Sequence, residues 1–147
     1  FPREVDTLLY GRVIYEAWGN YTPPENSNEF ENNFYRKLKK MKRYVFSATK
    51  DKFEGDPVVV KSGVGKVIHH LKQQPGKNIW LYGGGKLLST LMNLDLVDEF
   101  RIAVFPVILG DGNPLFRNVN HRVKLKLLNI IDGGSGIVEF HYERSAE

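Results

Sequence analysis

Short apolar runs alternate with amphipathic stretches through the first two thirds of the chain. Asp6-Thr7-Leu8-Leu9-Tyr10 reads as a strand ending at Gly11, and residues 12–18 as a short helix or turn. Pro23-Pro24 and several Asn make residues 21–27 a loop. Asn28, with Glu31 three positions later, has the form of a capping box. Phe30, Phe34, Leu38 and Met41 then recur at helical spacing, which predicts one apolar stripe. Residues 44–47 and 58–60 predict two more strands. Val64, Val67, Ile68 and Leu71 predict a second long helix, stopped by Pro75-Gly76. Ile79-Trp80-Leu81-Tyr82 predicts a fourth strand leading into Gly83-Gly84-Gly85, and Leu87, Leu88, Leu91 and Met92 stripe the helix after it.

The last third changes character. Residues 100–109 predict a long apolar strand broken late by Pro106, followed by the loop Gly110-Asp111-Gly112-Asn113-Pro114. Val123, Leu125 and Leu127 alternate with Lys124 and Lys126, as in a strand with one solvated face. Residues 132–136 join it to a strand over 137–142, forming a hairpin. Continuous apolar strands alternating with helices predict a mostly parallel sheet covered on both faces. The class is α/β, with an antiparallel C-terminal hairpin. No repeat or linker divides the chain, so residues 1–147 read as one domain.

Two strand ends carry glycine leading into a helix, each with a basic residue directly after. They are Tyr10-Gly11-Arg12 and Tyr82-Gly83-Gly84-Gly85-Lys86. Glycine lets a backbone approach a ligand closely, and free N–H groups at a helix start favour phosphate. The pair therefore reads either as two tight packing turns or as one phosphate site with two arms. Standard nucleotide motifs are incomplete. Leu88 stands where a G-x-G-x-x-G needs its third glycine, Trp80 stands where a P-loop needs its first, and Gly65-Lys66 is followed by Val67. No Gly-x-Ser-x-Gly elbow occurs. His69 and His70 are neighbours on a helix and cannot share a metal, and no other ligand spacing suggests one, so no metal site is expected.

Composition narrows the class. The chain has 147 residues, 41% of them hydrophobic, enough for a core without staples. It contains no Cys, which removes disulfides and thiolate chemistry. No apolar run reaches the ~18 residues of a membrane span. No secretory pattern is visible, so the expected location is cytoplasmic; the sequon at Asn20-Tyr21-Thr22 is read as chance. The net charge of +4 suits anionic partners in general. Arg36, Lys37, Lys39, Lys40, Lys42 and Arg43 crowd one helix end, but the aromatics lie on the apolar stripe. No base-stacking platform results, and neither a nucleic-acid nor a membrane partner is expected.

The order Gly11-Arg12-x-x-Tyr15-Glu16, Val45-Phe46-Ser47, Lys61-Ser62 and Gly83-Gly84-Gly85 resembles the dihydrofolate reductase superfamily. Leu96-Val97-Asp98-Glu99-Phe100, then Pro106-Val107-Ile108-Leu109-Gly110-Asp111-Gly112 and Leu115-Phe116, is similar to the reductase-domain family of riboflavin biosynthesis and its stand-alone bacterial relatives. The resemblance covers nearly the whole chain. It implies a three-layer α/β/α fold around a mixed sheet, NADPH as cofactor, and a homodimer. It also implies hydride transfer to a C=N or C=O bond of a small heterocyclic or sugar-linked substrate, as in 5-amino-6-(5-phosphoribosylamino)uracil reductases. The alternative is an NADPH-binding module of the same fold that has lost turnover.

Residue by residue, the resemblance places Gly11, Arg12, Val13 and Ile14 at the first phosphate turn. It places Ser47, Ala48 and Thr49 at the adenosine ribose and its 2′-phosphate, and Lys61 and Ser62 beside the adenine. Tyr82, Gly83, Gly84, Gly85, Lys86, Leu87 and Leu88 fall at the pyrophosphate, with a cis peptide expected between the first two glycines. This sequence departs from the family at three places. Ile14 replaces a pyrophosphate-binding Thr, Tyr82 replaces a substrate-binding Glu, and no Ser-Leu-Asp-Gly-like strand and turn precedes Asp6. The expectation is a family N-terminal strand missing from this chain. No residue is assigned as proton donor; Glu16, the one carboxylate nearby, is read as structural.

Overall fold

The strand β1 (Val5–Gly11) is almost wholly buried: Leu8, Leu9 and Tyr10 are each 3% exposed or less. Such a run can exist only as a central strand, since both faces need cover. The computed structural model describes residues 2–146, which fall into two compact units, residues 2–88 and 89–146.

In the first unit β1 is flanked by β2 (Lys42–Phe46) and β4 (Asn78–Gly83), and β3 (Val58–Val60) pairs with β2. All three pairings are parallel and the order is β3-β2-β1-β4. The register aligns the carboxyl ends: Gly11 opposes Phe46, Phe46 opposes Val60, and Tyr10 opposes Gly83. At the other end, Asp6 anchors the turn before β4 by accepting the Lys77 N–H at 2.8 Å. That bond, more than anything else, holds the Asp6 carboxyl below its usual pKa.

The predicted turn after Gly11 is a single helical turn, α1 (Arg12–Ile14), widened over Tyr15–Gly19. Helix α2 (Glu29–Lys40) starts at Asn28, whose side chain accepts the Glu31 N–H at 2.8 Å. Its Leu38 is buried, and Phe34, Tyr35 and Met41 pack against a core of Val5, Leu8, Tyr10, Tyr15, Leu38 and Val45. Phe30 departs from the predicted stripe. It is 80% exposed in the first turn, where its ring stacks on Phe34. Of the basic run, Arg43 is structural: its guanidinium donates to the Gly19 and Gly55 carbonyls at 2.7 and 2.8 Å. Helix α3 (Val64–Gln73) connects β3 to β4, and α4 (Gly85–Asn93) follows β4.

The second unit holds an antiparallel sheet of order β5-β7-β6: β5 (Glu99–Val104), β6 (Leu125–Gly134) and β7 (Ile137–Arg144). Two boundaries differ from expectation. β5 ends at Val104 rather than near residue 109, because Pro106 has no N–H for a ladder. β6 runs on through Asp132-Gly133-Gly134, so the hairpin turn is only Ser135-Gly136, with φ of 55° and 81°. Positive φ at both positions is the turn that matches strand twist.

Candidate functional site

The carboxyl ends of β1, β2, β3 and β4 carry the two glycine turns and the segments at Ser47 and Lys61 singled out from the sequence. The strand order reverses at β1, whose neighbours are β2 and the later β4; ligands of open α/β sheets bind beyond such a reversal. Gly11 ends β1 beside the paired glycines that end β4. A Cβ built on Gly11 would lie 3.3 Å from the Gly84 nitrogen, so the two turns meet backbone to backbone. The Gly83–Gly84 peptide is cis. Gly83 has φ of 153°, and Gly85, exposed, begins α4. Glycine at these points leaves an open backbone surface that side chains would cover.

Ile14 lies against these glycines: its Cγ1 would be 3.4 Å and 3.3 Å from Cβ atoms on Gly83 and Gly84. It presents an apolar side chain to both glycines. Val13 is 67% exposed on the same turn. Arg12, also exposed, donates from Nη1 to Glu16 Oε1 at 3.3 Å. Tyr82 is half-buried. Its ring packs on Tyr10 and Trp80 at centroid distances of 5.0 Å. Burial, with Tyr35 beside it as charge neighbour and hydrogen-bond partner, pushes its phenol pKa to about 12, so it stays protonated. Lys86 is exposed in the first turn of α4, Leu87 is buried, and Leu88 is half-buried with its N–H on the Gly84 carbonyl.

The second arm follows β2 and β3. The Ser47 N–H bonds the Val60 carbonyl at 3.0 Å, and its buried hydroxyl accepts the Lys50 N–H at 3.1 Å. Ser47 therefore shapes the turn that exposes Ala48 and Thr49. Lys61 and Ser62 are exposed at the end of β3, and the Lys61 ammonium pairs with Asp51 on that turn.

Sequence reasoning missed Lys50. Its ammonium reaches Glu16 Oε1 at 3.3 Å, the same oxygen that Arg12 holds. The signal was a basic residue directly after Thr49; the contact itself spans 34 residues. Hydrogen bonding and charge from Lys50 first, then Arg12, hold the Glu16 carboxyl below its usual pKa. A carboxylate kept ionised by two cations is poorly suited to deliver a proton. Among the described residues, no group of His, Asp or Glu could hold a metal ion, and no helix is long and apolar enough to cross a membrane.

Solved structures share this architecture. A candidate riboflavin biosynthesis protein from Shewanella sp. PV-4 superposes with a TM-score of 0.75 at 22% identity, covering 98% of this chain and 76% of that one. A pyrimidine reductase-like protein from Corynebacterium diphtheriae gives 0.65 at 16% identity, covering 97% of this chain and 77% of its own. Dihydrofolate reductase from Enterococcus faecalis, complexed with NADP(H), gives 0.64 at 17%, covering 95% and 74%. The parallel sheet with its terminal antiparallel hairpin is the dihydrofolate reductase-like α/β fold. Two proteins of Bacillus subtilis (strain 168) are related in sequence. YyaP is 39% identical over 142 residues, 97% of this chain and 76% of that protein, and YwjB is 34% identical over 148 residues, 99% and 77%. The RibD C-terminal domain model matches residues 2–139, and the chain belongs to that family.

Proposed function

We propose that the protein is an NADPH-dependent reductase of the riboflavin-biosynthesis type, transferring hydride to a C=N or C=O bond of a small heterocyclic or sugar-linked substrate. One observation carries this reading. The glycine turns of β1 and β4 meet backbone to backbone, and cations follow Gly11, Thr49 and Val60 along the same edge. A dinucleotide needs that combination of close backbone approach and distributed positive charge.

The nicotinamide, when bound, supplies the hydride. The chain supplies binding and orientation. Gly83, Gly84 and Gly85 expose backbone to a pyrophosphate, and Ile14 presents an apolar surface beside them. Arg12, Ser47, Ala48 and Thr49 face the phosphate-bearing ribose, and Lys61 and Ser62 flank the adenine. Glu16 is ionised and bound to two cations, so the proton comes from substrate or water.

A Trp80 fluorescence titration tests the reading, since that ring packs on Tyr82, next to the paired glycines. Saturable binding with NADPH tighter than NADH is expected. No response to either, repeated by calorimetry, overturns it. Tyr82 within the aromatic cluster, in place of a substrate-binding Glu, favours a second reading: a nucleotide-binding module without turnover. NADPH binding with no oxidation across a panel of pterins and pyrimidines would select it.

We further infer that residues 1–147 form one domain that unfolds in a single transition, and that two copies associate. β6 lies at the edge of its sheet and exposes Leu127, Leu128 and Ile130, while Val107, Ile108 and Leu109 are exposed after β5. Apolar surface of this kind at a sheet edge marks an association face. Light scattering is expected to give twice the 16.9 kDa chain mass; the mass of one chain at micromolar concentration would refute the dimer.

A further inference from the structure

We propose that Glu16 is a built-in counter-anion: its carboxylate takes the position between Arg12 and Lys50 that the extra phosphate of NADPH takes on binding. Glu16 thereby sets discrimination between phosphorylated and unphosphorylated dinucleotides, and Lys50 is the second cation of the clamp. The inference rests on the dinucleotide site proposed above and adds to it a specificity residue and a competing charge.

The geometry is that of an anion clamp. Arg12 Nη1 and Lys50 Nζ both lie 3.3 Å from a single oxygen, Glu16 Oε1. The two cations come from the ends of adjacent strands: Arg12 directly follows Gly11, which opposes Phe46 in β2, and Lys50 lies four residues past Phe46. Both cationic side chains and the carboxylate are well exposed, so a ligand can reach all three. Lys50 does not depend on Glu16 for its place. Its ammonium lies 4.9 Å from the centroid of the Phe53 ring, and its N–H is held by Ser47 Oγ at 3.1 Å. Arg12 begins α1, fixed by the meeting of Gly11 with the β4 turn.

The competition follows from charge. A phosphate monoester is close to a dianion at neutral pH and presents three acceptor oxygens. A carboxylate carries one charge and here uses one oxygen for both cations. Phosphate therefore displaces it, but the displaced carboxylate stays on the same short helical turn and repels the newcomer. Exposed ion pairs contribute little to folding, so removing the carboxylate should alter binding rather than stability. An unphosphorylated dinucleotide makes no such exchange and should be indifferent to Glu16.

The test is calorimetric binding of NADPH and NADH to the wild-type chain, Glu16→Gln and Lys50→Gln, with 2′,5′-ADP and inorganic phosphate as further probes. Glu16→Gln should bind NADPH and 2′,5′-ADP about three- to tenfold more tightly, the size of one like-charge contact in a solvated site. NADH should change by less than about twofold on the same scale. Lys50→Gln should lose most of the preference for NADPH. Inorganic phosphate should compete with 2′,5′-ADP more effectively in Glu16→Gln, which separates a generic phosphate clamp from one that requires the nucleoside. Weaker or unchanged NADPH binding in Glu16→Gln, or an equal shift for both cofactors, overturns the proposal while wild-type NADPH binding leaves the underlying site standing. A wild-type chain that binds neither cofactor removes the site and the proposal together.

Discussion

Gly19→Ala is expected to destabilise the protein by about 2–4 kcal/mol, read as a lower denaturant midpoint with an unchanged slope. A Cβ on Gly19 would fall 2.0 Å from Tyr15 Cδ2, 2.3 Å from Cε2 and 2.6 Å from Cγ. These are the near atoms of a ring that is 2% exposed, not the tip of a mobile chain. The ring has little room to yield. It stands edge-on to Tyr10 and Phe53, with centroids 5.3 and 5.6 Å away, and its hydroxyl donates to the Glu54 carbonyl at 2.6 Å. Overpacking a filled core costs ~1–3 kcal/mol, and a lost buried hydrogen bond about 1 kcal/mol more. If the clash is the cause, Tyr15→Leu should absorb part of it. The double variant should then show a coupling of at least about 1 kcal/mol relative to the single changes. A shift below about 0.5 kcal/mol for Gly19→Ala would show that Tyr15 can move freely. The same melts report whether residues 1–147 unfold in one transition.

That contact also shows where sequence reasoning stops. Features coded by neighbouring residues were legible: the apolar run of β1, the Asn28 cap, and the glycine turns with Arg12 and Lys86 behind them. The ends of β5 and β6 were harder, because an apolar run does not say where its hydrogen-bond partners end. Residues 105–109 are as apolar as β5, yet Pro106 takes them out of the ladder. Phe30 fits a helical stripe by spacing but lies in the first turn of α2, 80% exposed with its ring stacked on Phe34. Gly19 with Tyr15, and Lys50 with Glu16, depend on chain reversals that periodicity does not encode. The candidate site was legible as two basic glycine turns. Its internal carboxylate was not, since Glu16 meets Lys50 only once β1 and β2 lie side by side.

Arg12→Ala is expected to weaken NADPH about tenfold and NADH by less than about twofold. Charge-assisted hydrogen bonds contribute ~1.5–3 kcal/mol, which is ~10–150-fold in affinity. Arg12 is 45% exposed, so solvent screening places the effect at the low end of that range. The variant should fold normally, because Arg12 pairs with Glu16 on an exposed surface, and exposed ion pairs contribute little to folding. Salt should act differently on the two proteins. Each cation that exchanges counter-ions for ligand phosphate steepens the salt dependence, so NADPH binding by Arg12→Ala should decline less with added salt than binding by the wild type. Lys50 remains in the variant and still holds Glu16, so some preference for NADPH should survive; combining Arg12→Ala with Lys50→Gln should abolish it. Equal loss of NADPH and NADH would place Arg12 at the pyrophosphate, which both cofactors share, and the extra phosphate would then need a different cation on this edge, for which Lys61 beside Asp51 is the next candidate.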